Sequence, residues 1–329
     1  MKKQAVAFAR FFLPKFRDVL VTVLLISFLV FAVFYLIPGD PITMILGTEA
    51  SAEKRVALEQ ELGLDRGPLE QYWRSLTGIF NKEEPSLSIR FQRPVRELLA
   101  ERMGLTALLS GYAFFLIAIL AFPLALLCAT HENSWLDRGI GLLTQFFMAI
   151  PGFFLGIVLT LIFSWLFSSF RMLRFPGFAQ GFWPALSSLT LPAIALALPR
   201  LAQAIQFLRS AIFESLQEDY VRTAKAKGSS PTRILFGHVL RNSLLPFITS
   251  LGLILAELLT GGLIVEQVFV LPGVGRLLIT AIEARDLPLS QGIIMSFAIL
   301  LVLINLTVDI LARLIDPRLL DPNGGQDND

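Results

Sequence analysis

Few residues in this 329-residue chain have the chemistry for a reactive site, and they stand apart from one another. Glu257 is the only charge within the apolar run Asn242–Val265. A carboxylate inside such a run is costly, so it faces either a protein interior or a water-filled cavity. Asn305 and Gln203 are polar residues in other apolar runs and could pair with it, as could a partner subunit. His131, His238 and Cys128 complete the set of histidines and cysteines. Without clustered Cys or carboxylates they form no metal-ligand pattern. The chain has no Gly-Lys pair, hence no phosphate-cradling G-x-x-x-x-G-K-[ST] loop. Gly273-Val274-Gly275 is followed by Leu278 where a dinucleotide fingerprint needs a small residue. Nucleotide chemistry is therefore not expected of this chain.

The elements that hold these residues are dictated by composition. Apolar residues make up 54% and charged residues 16%, with mean hydropathy +0.67. A soluble domain carries roughly a quarter charged residues; this composition excludes disorder and a disulfide scaffold, and a soluble enzyme is not expected. The net charge of +2 gives no reason to expect a nucleic-acid partner. Six runs are long enough to cross about 30 Å of hydrocarbon as helices. They are Val19–Ile37, Met103–Thr130, Gly139–Phe170, Trp183–Phe207, Asn242–Val265 and Leu287–Val308. Their lack of alternation argues against barrel strands. The first run exceeds the ~7–15 residues of a signal-peptide core and leads into Pro38-Gly39-Asp40-Pro41, so a retained helix is expected.

Basic residues set the orientation. Five precede the first span and seven lie in residues 200–241, against two each in residues 171–182 and 266–286. Both termini are thus expected inside. The segment 38–102 becomes a large external loop with helices predicted at Ser51–Leu62 and Pro68–Ile79. Pro123, Pro151, Pro192 and Pro199 punctuate the spans. Pro151-Gly152 suits either a bend beside a cavity or a packing kink. Six helices form only a thin-walled conduit, which implies a second membrane subunit.

The internal segment 209–242 is the most patterned polar stretch. Phe213, Leu216, Tyr220 and Ala224 predict one helix over Phe213–Lys227. Arg222, Lys225 and Lys227 sit near its end, and Gly228 stops it. Ser230-Pro231 predicts a second short helix through Arg233, Phe236 and His238. Physically this pair could rest on anionic lipid, fit a groove in a partner, or merely tie two spans together.

The residues themselves narrow that choice. Asp219-Tyr220-Val221-Arg222-Thr223-Ala224-Lys225-Ala226-Lys227-Gly228 with His238-Val239-Leu240-Arg241-Asn242-Ser243-Leu244-Leu245-Pro246 resembles the EAA loop of ATP-binding-cassette importer permeases. The version is similar to that of the binding-protein-dependent dipeptide/oligopeptide/nickel branch. Arg222-Thr223-Ala224 stands where Glu-Ala-Ala occurs in the general pattern. Pro38-Gly39-Asp40-Pro41, Leu62-Gly63-Leu64-Asp65, Arg93-Pro94-Val95, Leu271-Pro272-Gly273-Val274-Gly275-Arg276 and Asp316-Pro317-Arg318 extend the likeness over nearly the whole chain.

The resemblance implies an all-α integral membrane protein with six transmembrane helices. It would have a permease domain 19–313, an external segment 38–102 after helix one, a coupling loop 209–242 between helices four and five, and cytoplasmic tails 1–18 and 314–329. The chain would be a non-enzymatic subunit in a bacterial inner membrane, importing di- or oligopeptides, or else nickel or a metal chelate. Its implied partners are a homologous permease, two cytoplasmic ATPase subunits that hold ATP and Mg, an external binding protein, and lipid. No cofactor or metal is assigned to the chain itself. Glu214, Asp219, Tyr220, Arg222, Thr223, Ala224, Lys225 and Gly228 would form the coupling surface. Tyr220 and Ala224 would supply apolar contact there, and Arg222 and Lys225 a polar rim. Glu257 and Asn305 would line the path, with Glu257 meeting a cationic group such as a peptide amine. An ATPase-independent channel or secondary transporter is the rival class; an enzyme lacks convergent catalytic residues.

Overall fold

The computed structural model describes residues 2–36, 42–43, 51–62, 65–79, 81, 85–166 and 175–315. Pro38-Gly39-Asp40-Pro41, Gly63-Leu64, Asp316-Pro317-Arg318 and nearly all of the tail 314–329 lie outside the described residues. The elements are helices: α1 Lys2–Leu36, α2 Ala52–Leu62, α3 Pro68–Gly78, α4 Val95–Thr130, α5 Trp135–Ala149, α6 Gly152–Leu166, α7 Phe182–Ser188, α8 Thr190–Gln217, α9 Asp219–Ala226, α10 Pro231–Ile234, α11 Leu240–Val268, α12 Val274–Glu283 and α13 Leu287–Ile315. Among the described residues, five stretches are long and apolar enough to cross a membrane: Arg17–Leu36, Val95–Thr130, Thr190–Gln217, Pro246–Val268 and Leu287–Ala312. The bent pair α5–α6 is a sixth candidate.

That pair replaces the single span expected over Gly139–Phe170. The two helices meet at 105° across Ile150-Pro151. Gly152 opens α6 against the backbone of α8, where an added methyl would stand 3.1 Å from the Ala195 carbonyl oxygen. Gly152 thus lets α6 pack closely on α8 at the bend. Pro123 and Pro199, by contrast, remain inside continuous helices. Pro192 occupies the first turn of α8, where its missing N–H goes unused.

The chain forms two compact units. One comprises residues 1–104 with 272–303. Within it α1 packs on α3 through Phe31, Tyr72 and Leu76, joined by Met295. The Ser27 and Tyr72 hydroxyls share a 2.7 Å hydrogen bond, and Ser75 donates to Gln291 Oε1 at 2.7 Å. Asp286 is fully buried and accepts from the Leu289 amide, the Arg90 amide and the Ser88 hydroxyl. It thereby caps α13 and fixes the loop before α4.

The other unit comprises residues 105–271 with 304–329. Its centre is α8, which packs against α5, α6 and α11. Ala193, Ala195, Ala197, Ala202 and Ala204 are buried on α8, so small side chains let its neighbours approach closely. Leu109, Ala113, Ile117, Ala121 and Ala125 give α4 a buried stripe of four-residue spacing against the same core.

Candidate functional site

The predicted helix Phe213–Lys227 is two helices. Glu218 takes extended backbone (φ −66°, ψ 150°), ending α8 at Gln217 and starting α9 at Asp219. The break turns α9 while Val221 stays fully buried and Tyr220 and Ala224 pack on the unit's own core. The Tyr220 hydroxyl bonds Ser215, the residue three before the break, and so bridges it. Ser215 also donates to the Val239 carbonyl at 3.5 Å, and Ser243 donates to the Ala211 and Val239 carbonyls at 3.0 Å each. These bonds tie α9, the end of α8 and the start of α11 into one knot.

The other face of α9 is open. Asp219, Arg222, Thr223, Lys225, Ala226 and Lys227 are exposed, with Arg222 donating to Asp219 at 3.2 Å and Thr223 to the Asp219 carbonyl at 3.0 Å. The apolar contact expected of Tyr220 and Ala224 is thus spent inward, and the outward surface is polar and basic. Gly228 has φ +76°, the left-handed region. Its amide bonds the Lys225 carbonyl at 3.0 Å, and the Ser229 amide reaches back to Ala224 at 3.1 Å. This paired closure fixes the turn. Ser230 then caps α10 by accepting from the Arg233 amide.

The second predicted helix is likewise not separate. After four residues α10 passes through a π-helical turn, Leu235–Val239, directly into α11. Leu235 and Val239 are buried while Phe236, Gly237 and His238 face out beside α9. Such insertions recur at functional sites. Nothing in residue periodicity signals this one. Glu214, Glu218 and Tyr220 with Asn242 and Pro246 line an adjacent cleft of about 270 Å³.

From that cleft an open stripe runs up each of two helices. On α8 it comprises Gln217, Glu214, Ser210, Phe207, Gln203 and Arg200, at alternating spacings of three and four. On α11 it comprises Asn242, Pro246, Leu253, Glu257, Thr260 and Ile264. The stripes meet where Arg200 Nη1 stands 2.8 Å from Glu257 Oε2, off the hydrogen-bond axis. Arg200 also donates to Gln203 at 3.0 Å. Glu257 therefore pairs with Arg200, with Gln203 one contact further away, while Asn305 lies exposed on α13. Sequence reading missed Arg200 as its partner, although the pair is separated by 57 positions on two apolar helices. Polar spacing along α8 was the available signal.

A second ion pair on α8 is of another kind. Arg209 grips both oxygens of the buried Asp137 at 2.8 and 3.0 Å and lies 4.8 Å over the Phe213 ring. Gln206 donates to Thr144 at 2.5 Å, so α5 is fastened to α8 twice. Among the described residues, no three His, Cys, Asp or Glu side chains converge as a metal requires.

With this geometry in hand, comparison with known proteins is informative. Residues 121–321 match the family described as binding-protein-dependent transport system inner membrane component, and residues 8–110 match its N-terminal membrane-component family. The chain is 35% identical over 306 residues to a peptide transport system permease protein of Brucella abortus, covering 93% of this chain and 97% of that one. It is 34% identical over 311 residues to a glutathione transport system permease protein of Salmonella paratyphi A, with the same coverage.

Proposed function

The chain belongs to the binding-protein-dependent transport system inner membrane components, and from that premise we propose that it is a peptide-importing half of a transmembrane conduit. It is a multi-pass inner-membrane transport subunit rather than an enzyme. In the proposal it crosses the membrane six times, counting α5–α6 as one broken span, with both termini cytoplasmic. A homologous permease completes the conduit, an external binding protein delivers the peptide, and two ATPase subunits hold ATP and Mg.

The observation that carries this reading is the knot around α9. Its outward face (Arg222, Thr223, Lys225) offers a partner polar and basic contacts, while its inward face (Tyr220, Val221, Ala224) is anchored to the ends of α8 and α11. A force applied to α9 therefore reaches the two helices that carry the open stripes. Asp219 braces Arg222, Glu214 opens the adjoining cleft, and Gly228 sets the exit of the helix. Coupling then needs the ATPase pair to bind α9 differently in its open and closed forms. The α8 stripe is polar but for Phe207, and the α11 stripe carries Asn242, Glu257 and Thr260; such groups on helices of membrane-crossing length are poorly suited to lipid. The stripes of α8 and α11, with Glu257 at their meeting point, form the wall of the translocation path; Asn305 is assigned to the same path.

Co-purification tests the proposal. Co-expressed ATPase subunits should be retained by the wild-type permease and lost when residues 219–228 are replaced by a Gly/Ser linker. Undiminished substrate flux through vesicles lacking any ATPase would instead favour a channel or secondary transporter.

A further inference from the structure

Glu257 lies midway along the crossing stretch Pro246–Val268, about 16 Å from either end at ~1.5 Å per residue. Its ion pair with Arg200 is half-open: the side chains are 40% and 37% exposed. One turn away along both helices, Leu196 packs against Gly261, where an added methyl would stand 3.3 Å from it. The helices are thus clamped beside the pair, and the pair itself is left half-open on the stripes of α8 and α11. A lone contact off the hydrogen-bond axis leaves the remaining donors of Arg200 and the second oxygen of Glu257 for another molecule. Gln203 Oε1 accepts from the same Arg200 nitrogen, Nη1, that faces Glu257, so the other guanidinium nitrogens are the ones left for substrate.

We propose that Arg200 and Glu257 form a mid-membrane subsite for zwitterionic peptides. Glu257 receives the free α-ammonium group and Arg200 the free carboxylate. This deepens the path reading given above and rests on it. The physical logic is exchange. Each charge is already neutralised by its neighbour, so a substrate carrying both signs replaces one ion pair by two without leaving any charge unpaired. A substrate with one terminus blocked leaves Arg200 or Glu257 to be satisfied by the other alone, and gains less.

The test uses the complete transporter with its binding protein in proteoliposomes, and three probes: trialanine, N-acetyl-trialanine and trialanine amide. Uptake of each probe is expressed as the ratio of variant to wild type, so the binding protein's own selectivity cancels. Glu257→Gln should lower uptake of the two probes with a free amine about tenfold and spare N-acetyl-trialanine. Arg200→Met should lower uptake of the two probes with a free carboxylate by about the same factor and spare the amide. The exchanged double variant R200E/E257R keeps an ion pair and should still be retained with the ATPase subunits, which reports an intact assembly. Equal losses for all three probes, or none, would overturn the subsite while leaving the importer reading intact. Wild-type vesicles with no ATP-dependent uptake of any probe would overturn the peptide-importer reading and the subsite with it.

Discussion

Two ion pairs share helix α8 and differ in almost everything else. Arg209–Asp137 is bidentate, its carboxylate is buried, and its guanidinium is stacked on Phe213. Arg200–Glu257 makes one contact and lies half-open on the polar stripe. Geometry this unequal on one helix separates a fastening from a contact that the proposal assigns to substrate. The first fixes α5 to α8, so that whatever moves α8 moves α5 with it. The second holds its charges ready without locking the helices, a job done beside it by Leu196 and Gly261.

The comparison breaks if the two pairs prove equally important to stability. Arg209→Ala leaves a buried carboxylate unpaired and should cost about 3 kcal/mol or more, seen as a sharp fall in the unfolding temperature of the detergent-solubilised protein. The double variant D137N/R209Q should recover much of that loss. Next in size is Gly228→Ala. The site has open space around it, so only the left-handed backbone resists, at about 1–2 kcal/mol. That cost is local to the exit of α9, so it should weaken ATPase retention more than it lowers the unfolding temperature. Tyr220→Phe removes the bond to Ser215 across the break and should cost about 1 kcal/mol. Its sharper readout is looser coupling, with ATP hydrolysis persisting at reduced uptake. Arg200→Met should be smallest in stability, under about 1 kcal/mol, because the pair is half-open. Its effect should instead appear in probe selectivity.

How much of this was legible beforehand depends on the range of the interaction. The long uncharged runs announced α1, α4 and α13, since burial in hydrocarbon needs only length and apolarity. A bend at Pro151-Gly152 was legible, but its size of 105° was not, because the packing of Gly152 on α8 is a tertiary contact. The break at Glu218 was hidden for a related reason. Leu216, Tyr220 and Ala224 keep helical spacing through a residue whose backbone is extended, and all three still reach the core. The residue pattern 219–228 was readable as a motif, whereas the inward packing of Tyr220 and Ala224 was not. Arg200 was counted among the basic residues that set orientation. Its place in a stripe with Gln203, Phe207, Ser210, Glu214 and Gln217 is plain in the spacing, yet its partner Glu257 is fixed only by the packing of α8 on α11.

The wall assigned to the translocation path is open to one direct measurement. In a Cys128→Ser background, single cysteines are placed along α8 in the assembled transporter and exposed to a membrane-impermeant thiol reagent from the cytoplasmic side. Positions 203, 207, 210, 214 and 217 should react, positions 201, 204, 208 and 212 should not, and trapping the ATPase subunits in their closed form should shield the deeper positions of the reactive set. Labelling without that three-and-four periodicity, or none deeper than position 214, would contradict the account.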